Sequence, residues 1–561
     1  MRKSFVVAAL MAALMLAQTP TAKKETQEST PVFRSTTRLV QVNVIVRHKS
    51  EPVTNLKKED FRLFDNGKLQ TISTFSVESS NGKLPESPVK LPPGVYTNQL
   101  MKKPGTPQSV TVILLDMQNT SAAFGTAMQQ QLWGRQQVVK FLQTIHPEDR
   151  IGLYLLTGNG LKVLHDYTTD SANLLRALNA FSDGKTLPDL SQDEMMSFGT
   201  DTVSLGNWVT TGATGMQRDF YMIDRVKGTL AVIEFIANHL ASLPGRKNLV
   251  WVSTGFPLMI GYSEKAFNDP NRIQATFDEE ITRTVKAVNN ANVAIYPVDM
   301  RGLMTDSRFN AENQKVNLKS GPSMPGVRNQ ESMDELASRT GGKAFYNTND
   351  LKKAIGDAIS DAATTYTLGF YPNDEQYDGK FHKFTVKVEH AGIGYDVRYR
   401  KGYFDFQNKP MDDKTRKIEI SDAVLSPLDS SALGVSVGTA RVDKPAPNSM
   451  ILRLEVDPAG IGWEPKADRM HAKIDVFLVQ KNDKGNQFGG TDDSIELNLT
   501  KTQYDNMMRS AGLILPDRTV PLVSQASLLR IVVRDDASGT LGSVTVPLKN
   551  VPASRPALIK R

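Results

Sequence analysis

The chain has 561 residues, a length that predicts about three to four domains. Hydrophobic residues make up 40% of it and charged residues 23%, which excludes a disordered or collagen-like chain. Cysteine is absent, which excludes disulfides, thiolate zinc sites and a cysteine nucleophile. Lysine and arginine number 67 against 60 aspartates and glutamates, and no basic stripe with interleaved aromatics accompanies this small excess, so we expect no nucleic-acid partner.

A signal peptide is predicted at the N-terminus, in residues 1–22. Arg2 and Lys3 precede an uninterrupted apolar run over residues 5–17, which is too short to span a bilayer comfortably and is followed by a polar stretch. Cleavage after Ala17 or Ala22 is expected, and an uncleaved anchor is the alternative. Once the signal peptide is removed, we expect no stable membrane span and a periplasmic or secreted protein.

Residues 31–80 are predicted to form an N-terminal β segment. Valines alternate along LVQVNVIV, as in a half-buried strand, and Asn66 and Gly67 separate two strand-like runs, as in a two-residue hairpin turn. Residues 81–109 contain six prolines and few large apolar residues, so this stretch is predicted to be a linker.

Residues 110–363 alternate between strand and helix patterns. The run VTVILLD is continuously apolar up to Asp116, which is typical of a strand covered by helices on both faces. Three further strands of this kind are predicted in IGLYLLT, LVWVSTG and NVAIYPVD, and helices are predicted over 129–145, 220–243, 277–291, a segment containing Met333, and 351–363. This alternation predicts a doubly wound α/β domain with a central parallel sheet.

The remainder of the chain returns to β patterning. Residues 364–405 are predicted to pack with residues 31–80, because both segments are β-rich and they flank the α/β domain. Residues 415–555 are predicted to form a separate all-β domain with one helix near 503–510.

The middle region resembles a von Willebrand factor type A (VWA) domain. The resemblance lies in VILLDMQNT, EDRIGLYLLTGNG, GRKNLVWVSTGFP, NVAIYPVD and ELASRTGGKAFY, which follow one another in the order typical of that family. With EDFRLFDNGK before them and YTLGFYP and YRKGYF after them, residues 32–403 are similar to the exported acidobacterial "VWFA-related" proteins. The resemblance implies a Rossmann-like α/β domain flanked by β-sandwich-like domains.

The family carries a metal-ion-dependent adhesion site at the carboxyl ends of its central strands, with a DxSxS motif, a Thr and a second Asp. Asp116 matches the first acid, and Thr120 can supply the second hydroxyl, although Gln118 replaces the first Ser. Thr254 stands where the second acid is expected, and Asp299 ends the neighbouring strand. The resemblance therefore implies a degenerate site for Mg²⁺ or another divalent cation.

Two alternatives stay open at these positions. Asp116 can cap the following helix or bind loop amides without a metal, in which case Asp116→Ala should cost only about 1 kcal/mol. Asp299 can be a structural loop acid. No catalytic or other cofactor-binding residue is predicted, because HExxH, GxxxxGK[ST] and GxGxxG motifs are all absent.

The sequence thus favours an exported, non-catalytic protein-binding module of adhesion type, whose VWA-like domain binds a protein partner. The alternatives are an extracytoplasmic hydrolase and a purely structural envelope scaffold without metal. A hydrolase would need acids, a base or a metal cage that converge at the strand ends, and Asp116 and Asp299 are the only convergent pair in the pattern.

Overall fold

The computed structural model describes residues 39–49, 51–79, 91–99, 110–119, 124–145, 149–168, 170–182, 215–243, 245–260, 273–303, 325–361, 364–372, 380–389, 395–404, 413–442, 448–510 and 512–552. The predicted signal peptide and Thr120 lie outside these ranges. The α-helices are α1 (Phe124–Leu142), α2 (Ser171–Ser182), α3 (Gly215–Leu240), α4 (Asp278–Asn290), α5 (Pro325–Thr340), α6 (Leu351–Ser360), α7 (Asp413–Leu425) and α8 (Lys501–Arg509). No helix in this part of the chain is long and apolar enough to cross a membrane.

The strands fall into two runs along the chain. The first run is β1 (Val40–His48), β2 (Glu51–Pro52), β3 (Phe61–Asp65), β4 (Lys68–Gln70), β5 (Thr74–Ser79), β6 (Val95–Thr97), β7 (Val110–Asp116), β8 (Ile151–Thr157), β9 (Gly160–Thr168), β10 (Lys247–Ser253), β11 (Met259–Ile260), β12 (Ala275–Thr276) and β13 (Val293–Asp299). The second run is β14 (Thr364–Phe370), β15 (Phe381–Val388), β16 (Tyr395–Arg398), β17 (Gly402–Phe404), β18 (Val435–Val442), β19 (Ser449–Val456), β20 (Glu464–Lys466), β21 (Arg469–Lys481), β22 (Gln487–Thr500), β23 (Leu513–Ile514), β24 (Arg518–Pro521), β25 (Leu528–Asp535) and β26 (Leu541–Pro547).

The central sheet has the strand order β13-β10-β7-β8-β9. Its first four strands are parallel, and β9 runs antiparallel to β8 at one edge. Every residue of β7, β8, β10 and β13 is buried, as their continuous apolar runs predict. The predicted α/β class, with flanking antiparallel sheets, is confirmed.

Helices cover both faces of the central sheet. Side chains that alternate along each strand point to opposite faces, so Val112 and Leu114 pack with α3, α4 and α5, whereas Ile113 and Leu115 pack with α1, α2 and α6. The sequence analysis did not predict β9 and α2, which form a hairpin strand and an extra helix beside β8.

The strands on either side of the α/β domain interleave. β1 pairs with β14 and β16, and β14 also pairs with β5, while β3 pairs with β15 and β4. The two sheets enclose one core, which includes Val42, Phe61 and Tyr366. The turn between β3 and β4 has positive φ at Asn66 (46°) and Gly67 (80°), which confirms the predicted hairpin.

The C-terminal part is a second sandwich. One sheet contains β6, β18, β19, β23 and β24, and the other contains β20, β21, β22, β25 and β26, with a common core between them. β6 lies inside the segment that we predicted to be a linker, and it pairs with β18.

Helix α7 occupies a segment that we predicted to form strands. Its only buried side chains are Ala423 and Val424. The apolar residues Ile418 and Ile420 alternate with polar neighbours, and this two-residue period is typical of a strand. Helix α7 contacts β25, and a contact between such distant segments cannot be predicted from local periodicity.

Candidate functional site

The carboxyl ends of β7, β10 and β13 meet at one edge of the central sheet. Asp116 is the last residue of β7, and Ser253 and Asp299 end β10 and β13 as direct register partners. Parallel strands with aligned ends place these side chains at the edge where open α/β sheets bind ligands. Asp116, Thr254 and Asp299, three of the four residues predicted as metal ligands, are thus at this edge, whereas the fourth, Thr120, lies outside the described residues.

The Asp116 carboxylate is fully buried and accepts five hydrogen bonds. Its Oδ1 accepts from the backbone N–H groups of Gln118 (3.1 Å) and Asn119 (2.9 Å). Its Oδ2 accepts from the Asn119 side chain (2.8 Å), the Trp251 indole (2.9 Å) and the Ser253 hydroxyl (2.6 Å). Because these donors approach both oxygens, the carboxylate is satisfied entirely by the protein.

Thr254 does not contact Asp116. Its hydroxyl donates to the Asn119 carbonyl at 2.5 Å, and its side chain is buried. Ser253, one residue earlier, contacts Asp116 instead. Because side chains alternate along a strand, Trp251 and Ser253 share a face of β10, and both reach the same carboxylate oxygen.

Asp299 forms a compact ion pair with Arg301. The guanidinium donates from Nε to Oδ1 (2.8 Å) and from Nη2 to Oδ2 (2.6 Å), and the Arg301 backbone N–H adds a bond to Oδ1 at 2.9 Å. Gln330 lies 3.4 Å from Oδ2. In this arrangement Asp299 holds the start of the loop after β13, and the neighbouring Arg301 balances its charge.

Helix α3 supplies a second layer of contacts to the Asp116 loop. The Arg225 guanidinium donates from Nη2 to the Gln118 carbonyl, and Thr229 accepts a 2.7 Å bond from the Asn119 side chain. Burial lowers the pKa of Arg225, and the nearby Asp116 carboxylate opposes this change. The Arg225 guanidinium thus places a positive charge beside the Asp116 loop.

These residues do not fit a divalent cation in the arrangement that they have. A metal ion would need free lone pairs on the carboxylates, but those of Asp116 accept protein donors and those of Asp299 accept Arg301, while the Thr254 hydroxyl is held at the Asn119 carbonyl. No cluster of three or more acidic or histidine side chains suited to a metal is found among the described residues. The metal site stays a prediction.

The sequence analysis missed Asn119, Thr229, Trp251 and Ser253, which form the contacts around Asp116. One local signal pointed to Asn119, because an Asp followed three residues later by an Asn is typical of a side-chain-stabilised turn. The contributions of β10 and α3 come from residues more than 100 positions away and have no local signature.

Exposed apolar side chains lie near the start of α3, which contacts the Asp116 loop, and after the strands that end at this edge. Phe220, near the start of α3, is 61% exposed, and the adjacent Tyr221 contacts its ring edge-on at 6.1 Å between centroids. Leu303 follows β13, and Met259 follows β10. We call the following set the apolar rim: Met216, Phe220, Tyr221, Met222, Met259 and Leu303.

No protein-family model matches the chain, and no curated protein matches it. Among solved structures, an aerotolerance-related membrane protein from Bacteroides fragilis is 11% identical, with 45% of this chain and 98% of that chain covered and a TM-score of 0.23. The SpRpn10 VWA domain is 12% identical, with coverages of 45% and 96% and a TM-score of 0.21. The pilus adhesin SpaC from Lactobacillus rhamnosus GG, in its open conformation, is 8% identical, with coverages of 91% and 73% and a TM-score of 0.24. The structural neighbours thus include a VWA domain and a pilus adhesin.

Proposed function

We propose that this chain is an exported, non-catalytic protein-binding module of adhesion type, and that it binds its partner at the carboxyl edge of the central sheet. One observation carries the proposal. The polar floor, which is Asp116 with its donors Asn119, Trp251 and Ser253, lies at the edge where β10 and β13 end and which α3 contacts, and the apolar rim belongs to α3 and to the segments that follow these strands. The floor holds the edge in a fixed shape, and the rim offers the surface for association.

The polar floor favours binding over catalysis. A general base or nucleophile needs a lone pair within reach of a substrate, whereas both oxygens of Asp116 accept buried protein donors. Asp299 is equally engaged by Arg301. In this proposal the edge is the remnant of a metal-ion-dependent adhesion site, in which protein hydrogen bonds occupy the ligand positions.

The composition of the apolar rim favours a protein partner. Aromatic residues and methionine are enriched at protein interfaces, and a cluster of exposed apolar side chains bordered by polar groups is typical of an interaction surface. The rim contains two aromatic residues and three methionines, and Phe220 is the most exposed of its aromatic side chains.

The proposal includes the affiliation and layout expected from the sequence. We place the chain with the exported VWFA-related proteins. Its proposed layout is a signal peptide over 1–22, a linker over 81–109, an α/β domain over 110–363 and a C-terminal domain over 415–555. The two β segments, 31–80 and 364–405, pack together. The pairing of β1 with β14 and β16 supports the joint packing of the two β segments. β6 suggests that the linker also docks on the C-terminal domain.

The experiment compares Phe220→Glu with Leu425→Glu in the mature protein. Leu425 is an exposed apolar helix residue, 58% accessible at the end of α7, and lies outside the rim, so it controls for the added charge. A protein that is cross-linked to the wild type in an envelope extract is identified and purified, and its Kd for each variant is then measured.

We expect Phe220→Glu to weaken binding by at least about tenfold, because a charge would replace a central aromatic contact, and Leu425→Glu to bind like the wild type. A purified partner that binds all three proteins equally would place the interface elsewhere on the chain. If no purified candidate binds the wild type saturably, the scaffold alternative is favoured.

A further inference from the structure

A polar cleft lies at the opposite, amino-terminal edge of the central sheet, where the α/β domain meets the first sandwich. Its volume is about 250 Å³. β1 and the segment around β17 form one wall, and the end of α4 with the starts of β10 and β13 forms the other. We call this the amide–arginine cleft, because Asn43, Asn289, Asn290, Asn292, Arg246 and Arg400 are among its lining residues.

Two arginines, one from each wall, line the cleft. Arg246 is only 4% exposed, and its Nη2 donates to the Gly341 carbonyl (2.7 Å) and to the Tyr296 hydroxyl (3.1 Å). Its Nε is buried without a hydrogen-bond partner among the described residues. Arg400 donates from Nη2 to the Gln41 carbonyl at 2.6 Å, and its guanidinium lies 5.5 Å from the centre of the Phe384 ring.

The charges around the cleft are predominantly positive. No aspartate or glutamate is among the described residues that line it. Glu78 is the acid that faces Arg246 and Lys247 from β5, and burial raises its pKa while the two cations oppose this change. Asp361, near Tyr296, is already bound by Arg398 at 2.6 Å and by Arg47. Arg246 and Arg400 are thus the charged residues among the described lining of the cleft, and a buried donor such as the Arg246 Nε is costly unless an acceptor satisfies it.

The amides extend the polar surface beyond the arginines. Asn43 donates to Asn292 and accepts from Thr367 at 2.9 Å, so it is held in a fixed orientation. Asn290, the last residue of α4, is exposed at the cleft. Amide groups donate to and accept from hydroxyls equally well, whereas guanidinium groups select carboxylates and other oxyanions.

We propose that the amide–arginine cleft binds a small organic oxyanion that carries hydroxyl groups, with an acidic sugar as the chemical type. The oxyanion lies between Arg246 and Arg400, and the hydroxyls contact the asparagine amides. Because the two walls belong to different units of the fold, the bound ligand also stabilises their contact. This site is independent of the proposed protein-binding edge, which lies at the other end of the same strands.

The test is titration calorimetry of the mature full-length chain with three probes in a buffer free of carboxylates and phosphate. D-Glucuronate carries the proposed carboxylate and hydroxyls, D-glucose is its neutral counterpart, and inorganic phosphate is an oxyanion without a sugar. The variants are Arg400→Gln, which removes one cation, and Asn290→Asp, which adds an opposing charge at an exposed position. Asn506→Asp, also an exposed asparagine near a helix end, is the matched control.

We expect saturable glucuronate binding to the wild type and to Asn506→Asp, a Kd at least about tenfold higher in Asn290→Asp and Arg400→Gln, and no binding of glucose. Phosphate binding with the same losses would support the oxyanion site and assign it to phosphate ligands. The proposal is overturned if neither anion binds, if glucose binds as tightly as glucuronate, or if Asn290→Asp binds like the control. Circular dichroism of each variant establishes that a loss of binding is not a loss of fold.

Discussion

The indole Nε1 of Trp251 donates a 2.9 Å hydrogen bond to Oδ2 of Asp116, across two neighbouring parallel strands. Both side chains are fully buried. A buried carboxylate is tolerated only when donors satisfy it, and a tryptophan indole is an uncommon choice because it supplies one N–H on a large apolar ring. The ring belongs to the core beneath the edge, so this one bond connects the hydrophobic packing of β10 to the polar floor of the candidate site.

Replacing Trp251 by Phe should destabilise the α/β domain by at least about 1.5–3 kcal/mol, because a donor to a buried charge is lost and the smaller ring leaves a cavity at a fully buried position. The matched control is Trp463→Phe, since the Trp463 indole donates at 3.1 Å to a neutral carbonyl in the C-terminal domain. That change should cost about 0.5–1.5 kcal/mol. Urea unfolding of both variants measures the difference, and equal losses would contradict a special role for the indole.

Asp116→Ala should cost well above the 1 kcal/mol expected of a simple helix cap. It leaves five donors without their acceptor, and each unsatisfied buried donor costs about 1–3 kcal/mol, so we expect a loss of at least about 3 kcal/mol. Denaturant unfolding gives the value. Asp170→Ala is the control, because Asp170 accepts similar backbone bonds at the start of α2 while exposed. A loss for Asp116→Ala no larger than that of the control would refute the buried network.

Divalent cations should neither bind nor stabilise the protein. The lone pairs that Mg²⁺, Mn²⁺ or Ca²⁺ would require are directed at protein donors, so we expect a flat calorimetric trace and an unchanged Tm with either metal or EDTA. Asp116→Asn is the control. A saturable heat in the wild type that disappears in this variant would restore the metal-ion-dependent site that the sequence predicts.

Glu234 should make stability fall as pH rises. Burial raises its pKa from 4.5 to about 7, although Arg283 and a 2.7 Å bond from Thr284 oppose this shift. The folded chain therefore holds a proton that the unfolded chain releases, and the stability from this group is complete below pH 4.5 and is lost as pH rises through 7.

The pH dependence is measured against Glu234→Gln, which keeps an acceptor but cannot ionise. Between pH 4.5 and 7 the wild type should lose up to about 3 kcal/mol relative to this variant. Glu419 and Asp422 face the same cluster and are present in both proteins, so the difference between the two curves reports the Glu234 proton together with its coupling to Asp422. Glu389→Gln, at an exposed ion pair, should follow the wild-type curve. Parallel curves for wild type and Glu234→Gln would contradict the raised pKa.

The sequence by itself determined the four parallel strands of the central sheet. The strands β7, β8, β10 and β13 were predicted because a strand buried on both faces must be apolar at every position, and this requirement is visible locally. The position of Asp116 at a strand end, and hence the edge on which the candidate site lies, followed from the same runs. The hairpin at Asn66 and Gly67 was predictable for an equally local reason, since few residue types accept positive φ.

Only the tertiary structure decided what surrounds Asp116 and how the outer strands pair. Trp251 and Ser253 are 135 and 137 residues from Asp116, and no periodicity in the chain couples them. Likewise, the pairing of β1 with β14 and of β6 with β18 depends on which edges the folded domains leave open. Local patterns report how one segment is buried, whereas hydrogen-bond partners are selected by the packing of distant segments. The sequence therefore located the edge of the sheet, and the tertiary structure determined which groups surround Asp116 there.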